Sequence, residues 1–72
     1  MSYDGVFDFY RDRILACPNY GFTSGHQILY VITRCAFNDS MLTDREFNSI
    51  IILAEQAHIK MMEMNYNEGW NQ

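Results

Sequence analysis

The chain has 72 residues, of which 49% are apolar and 15% aromatic, and a formal net charge of −4. A single domain of this length buries only about 60% of the surface its unfolded form exposes, so its core is marginal and leaves little room for a substrate pocket. Dispersed acidic charge lacks the basic footprint that binding to a nucleic-acid backbone needs, and no apolar run nears the roughly 20 residues that span a bilayer.

The first segment, SYDGVFDFYRDRILAC, places Val6, Phe7, Tyr10, Ile14 and Cys17 at helical spacing. A helix is expected over about residues 4–17, with Ser2 or Asp4 as its cap and Asp4 at the positive end of its dipole. Pro18 ends it, because the residue before a proline is pushed out of the α region. PNYGFTSG then reads as a connection built on Pro18, Asn19 and Gly21. Tyr20 and Phe22 are unusual in a solvated loop. They either fold back over the core or form an aromatic contact patch.

A second helix is expected over 24–37. Ser24 with Gln27 makes a capping box. With Thr23 as the cap instead, Phe22 would be stapled against polar Gln27, so Ser24 is the better choice. Ile28, Leu29, Ile32, Cys35 and Ala36 form its apolar face, and Tyr30, Val31 and Phe37 widen that face until the helix reads as central. Asn38–Ser40 is a short turn, which makes the flanking helices antiparallel neighbours. The third helix, over about 43–64, has the clearest start in the chain. Thr43 caps it, Glu46 closes a capping box and Leu42 staples onto Phe47. Its core stripe is Phe47, Ile50, Ile51, Ala54, Ala57 or His58, and Met61. Residues 65–72, NYNEGWNQ, read as a frayed tail. The expected architecture is an all-α, small three-helix bundle built on an antiparallel helical hairpin, one domain spanning 1–72.

No constellation points to catalysis or to a cofactor. Cys17, His26, Cys35 and His58 lack the close Cys and His pairs of a zinc finger, so no metal site is expected. Cys17 and His26 have nothing to orient the imidazole as a base. KMMEM at 60–64 reads as gap-filling core rather than a thioether copper site. Arg11 and Arg13 sit among Asp4, Asp8 and Asp12, which reads as local ion pairing. The third helix carries IIIL where a DNA-reading helix would be polar and basic. With two cysteines and no leader pattern, a reducing cytoplasm is the expected compartment, with no membrane association.

The run Ile50-Ile51-Ile52-Leu53 carries the functional expectation. Successive residues turn by about 100°, so Ile52 and Leu53 cannot both share one seam with Ile50 and Ile51. An apolar belt is therefore left for a protein partner, with Ile52, Leu53, Tyr20, Phe22, Tyr66 and Trp70 as the expected contact residues. A homodimer through the same belt is the alternative. The stretch ILYVITRCAFNDSMLTDREFNSIIILAEQA resembles the helical-hairpin modules called SHOCT-like domains. In those an apolar helix, a small turn, a leucine, a capping Thr or Ser and an acidic–aromatic pair, here Glu46-Phe47, follow one another. NDS replaces the usual glycine of that turn, and a helix is added before the hairpin. The resemblance implies an interaction or oligomerisation element without catalytic residues. In overall style the chain also resembles the small acidic proteins of phages and mobile elements, among them anti-CRISPR inhibitors, which implies a host defence complex as the target.

Overall fold

The computed structural model describes residues 5–70, with side chains described through residue 65. Three α-helices are present among these residues: α1 (Val6–Ala16), α2 (Phe22–Phe37) and α3 (Asp44–Trp70). A 3₁₀ turn, Cys17–Tyr20, joins α1 to α2 with Pro18 at its start. Each helix packs against the other two, and the result is the all-α three-helix bundle expected from the periodicity.

α2 and α3 form an antiparallel hairpin whose register two ring pairs report. Phe37 meets Phe47 near the turn, with centroids 5.8 Å apart. His26 meets His58 at the far end, with centroids 4.8 Å apart. α1 lies across this hairpin in the same direction as α3. Near its start, the Tyr10 hydroxyl donates to Asp39 Oδ2 at 2.7 Å, in the α2–α3 turn. At its end, the Cys17 carbonyl lies against Gly25 of α2.

Thr43 caps α3 as its sequence requires. The Glu46 N–H donates to Thr43 Oγ1 at 3.1 Å, and the Thr43 N–H donates to Glu46 Oε1 at 3.0 Å. This reciprocal pair satisfies two donors that the helix start leaves free. Leu42 and Phe47 both pack against the core. The start of α2 differs from expectation. The helix begins at Phe22, two residues before Ser24, and no side chain caps it. Gly21 stands at φ 89°, which lets the chain turn straight from the 3₁₀ segment into the helix. α1 likewise begins after Gly5 with no side-chain cap; Ser2 and Asp4 lie outside the described residues. α3 continues to Trp70, where a frayed tail was expected from residue 65.

The core consists of Tyr10, Ile14, Cys17, Leu29, Ala36, Ile50, Ala54, Ala57 and Met61. α2 is not the central helix. Its Tyr30, Val31 and Phe37 are exposed, and so is Cys35. The molecule measures 45 × 24 × 15 Å. α3, about 40 Å long at 1.5 Å per residue, accounts for the long axis. A body only 15 Å thick lacks the depth to hide apolar side chains on both faces of its helices.

Candidate functional site

The run Ile50–Leu53 tours the axis of α3. Ile50 is fully buried, Ile51 is 41% exposed, Ile52 is 57% exposed, and Leu53 is half-buried against the core. At about 100° per residue the four side chains cover the whole circumference. Ile51 was expected in the core stripe. It lies instead on the side that faces α2, in the wall of a groove between the two helices. Leu53, expected at a partner surface, has returned to the edge of the core. Ile52 points away from the core, and Ile59, seven residues on, shares its direction and is also exposed.

The groove has a volume of about 490 Å³. Leu29 and Ala54 floor it, Tyr30 and Ile51 form walls, and His26 and His58 stand at one end. Its position follows from the hairpin register. Phe37 to His26 and Phe47 to His58 are both eleven residues, about three helical turns, so the two ring pairs lie on one line about 16 Å apart. The groove occupies the part of this interval next to the histidines, from His26 to Thr33 on α2 and from Ile51 to His58 on α3. Tyr30 is 62% exposed, with Arg34 placed over its ring at 5.8 Å, and Glu55 stands at the groove's edge on α3.

His26 is held from two sides. Its Nδ1 lies 2.7 Å from the Phe22 carbonyl oxygen, and its Nε2 lies 2.7 Å from Nδ1 of His58. A carbonyl only accepts, so His26 Nδ1 carries a hydrogen. His26 Nε2 and His58 Nδ1 therefore share one proton between them when both rings are neutral. The Phe22 ring meets the edge of His26 at 4.6 Å. Sequence reasoning weighed the two histidines together only within a four-residue zinc set and did not place them against one another. The legible signal was the register: once Phe37 is opposite Phe47, position 26 falls opposite 58.

The remaining expected contact residues are dispersed. Tyr20 is exposed on the 3₁₀ turn and Phe22 at the His26 end of the groove, so neither acts as a lid on the core. The side chains of Tyr66 and Trp70 lie outside the described residues. Cys17 is fully buried and Cys35 exposed, and both are free thiols. The set Cys17, His26, Cys35 and His58 does not assemble: among the described residues no group of three or more His, Cys, Asp or Glu side chains is placed to hold a metal ion. Arg11 pairs with Asp8 and Asp12, each at 3.1 Å, and Arg13 lies over the Phe9 ring at 4.7 Å. No helix among the described residues is long and apolar enough to cross a membrane.

No family model, curated protein or solved structure matches the chain.

Proposed function

We propose that the chain is a non-enzymatic protein-interaction module whose contact surface is the α2–α3 groove together with the outward stripe of α3. The observation that carries this reading is the exposure of large apolar side chains in and beside the groove: Tyr30 and Ile51 line it, and Val31, Ile52 and Ile59 are exposed on the same two helices. Adjacent exposed residues of this size on so small a body mark a contact surface rather than scattered surface apolarity.

The groove dictates the partner's chemistry. Over its length, from His26 to Thr33 and from Ile51 to His58, it accommodates about two turns of helix, and an amphipathic helix docks into such a groove through apolar anchors at i, i+3 and i+4. Glu55 at the edge and the net charge of −4 favour a helix with basic flanks. The likeness to small mobile-element proteins names the first partners to test, the subunits of host defence complexes. Inhibition there would proceed by occupying a surface.

A homodimer is the alternative reading, favoured by the seven-residue spacing of Ile52 and Ile59, which suits a helix–helix seam. The mass in solution separates the two. A monomer of 8.5 kDa that captures a defence subunit, and loses it on Ile52→Asp, supports the first. A stable dimer that the same substitution dissociates supports the second and refutes the first.

A further inference from the structure

The observation is the histidine pair, which the interaction reading leaves unused. His26 on α2 and His58 on α3 aim ring nitrogens at one another across the hairpin at 2.7 Å. Neither is a core side chain, since His58 is exposed and His26 half-buried. His26 has the arrangement of a metal-ligating histidine, with one ring nitrogen donating to a backbone carbonyl and the other left with a directed lone pair.

We propose that His26 Nε2 and His58 Nδ1 form a two-imidazole site for a late first-row divalent cation, such as zinc or nickel, which bridges α2 and α3. Imidazole nitrogens suit these metals, and magnesium, which prefers oxygen, does not compete. The dimensions agree. A metal–nitrogen bond of about 2.0–2.1 Å places a metal about 3.2 Å from each ring centroid. Two such rings at angles between square-planar and tetrahedral have centroids about 4.5–5.2 Å apart. The rings of His26 and His58 stand 4.8 Å apart. Coordination therefore requires the rings to turn from facing one another toward a common point, which opens the 2.7 Å gap between the nitrogens to about 2.9–3.3 Å while the centroid separation is kept.

The protons balance. His26 keeps its hydrogen on Nδ1, donated to Phe22. The hydrogen shared between the facing nitrogens leaves the gap, and His58 carries it on Nε2 instead, so a neutral pair binds the metal without net proton release. No third side chain among the described residues is placed to complete the sphere, so water fills the other positions and the exposed site exchanges freely. The metal fastens the open end of the hairpin, eleven residues from the end that Phe37 and Phe47 close.

A ligand that binds only the folded chain raises its melting temperature with concentration. The test uses the full chain carrying Cys35→Ser, which removes the exposed thiol as a competing ligand, with zinc, nickel and magnesium chlorides titrated separately. Zinc and nickel are expected to raise the melting temperature, by about 15 °C at a hundredfold excess over the dissociation constant. His26→Gln and His58→Gln, each checked for helicity by circular dichroism, are each expected to weaken binding at least about tenfold in calorimetry, because one imidazole alone does not chelate. The proposal is overturned if zinc and nickel leave the melting temperature unchanged, if magnesium raises it equally, or if either glutamine variant binds as the parent does.

Discussion

At Gly25, α2 meets both the 3₁₀ turn and α3, and Gly25→Ala tests the packing of the bundle there. A Cβ added there would stand 2.5 Å from Met61 Sδ and 2.6 Å from the Cys17 carbonyl oxygen. Met61 is fully buried and has no solvent to swing into. The carbonyl belongs to the 3₁₀ turn, so clearing it means moving backbone. Overpacking of this kind costs about 1–3 kcal/mol, and two obstacles, one of them backbone, place this site at or above the upper end. Alanine returns about 1 kcal/mol through helix propensity. The net expectation is a loss of about 2 kcal/mol, which in a domain of this size lowers the melting temperature by about 10 °C. Thermal unfolding followed by far-ultraviolet circular dichroism reads the shift directly. A variant that melts with the parent or above it would show that α2 does not approach the turn and α3 this closely, and the placement of α1 would fall with it.

Thr43→Ala removes the reciprocal cap of α3 and is expected to cost about 1 kcal/mol in denaturant unfolding; Ser24→Ala, outside any cap, is expected to leave stability within about 0.5 kcal/mol. Ile52→Asp is expected to fold with unchanged helicity, because its side chain already meets water, whereas Leu53→Asp places a charge at the core edge and is expected to lower the melting temperature sharply; equal behaviour of the two would refute the assignment of sides on α3. Burial, and next the hydrogen bond to Asp39, push the Tyr10 hydroxyl up from 10.0 to about 12, while the same bond, with the Met41 N–H, holds the Asp39 carboxyl below its ordinary range. The raised tyrosine contributes stability that is complete below its ordinary value and is lost as pH climbs through about 12. The lowered aspartate contributes stability that is present above the ordinary carboxylate range and is lost as pH falls through its depressed value. Tyr10→Phe is expected to flatten both limbs of the stability–pH curve, and a curve that keeps its shape would remove the α1-to-turn link.

What was legible in the sequence was whatever short-range chemistry decides. Pro18 stops α1, and Thr43 with Glu46 starts α3, because each acts within one helical turn. The α1 face through Tyr10, Ile14 and Cys17 followed from periodicity alone. Ser24 misled because a capping box is only a permission. The left-handed backbone at Gly21 lets the helix begin earlier and leaves Ser24 in its first turn. Ile51 was misplaced because periodicity gives the direction of a side chain and not what stands opposite: it faces α2, but across an open groove. The histidine pair needed the hairpin register, which no local pattern states, although the two phenylalanines flanking the turn carried it.

The two thiols form an internal clock. Cys17 is fully buried in the core, its Sγ 3.4 Å from the Arg13 carbonyl oxygen, and burial pushes the thiol up from its ordinary value, so the reactive thiolate is suppressed. Cys35 lies open on α2. A thiol reagent should therefore mark Cys35 at once and reach Cys17 only when α1 lifts from the hairpin. In a single sample, the fast reaction calibrates the reagent and the slow one times the opening. The ratio of the two rates gives the population of opened molecules without denaturant or heat, and anything that clamps α1 onto the hairpin is read as a slowing of one cysteine against the other.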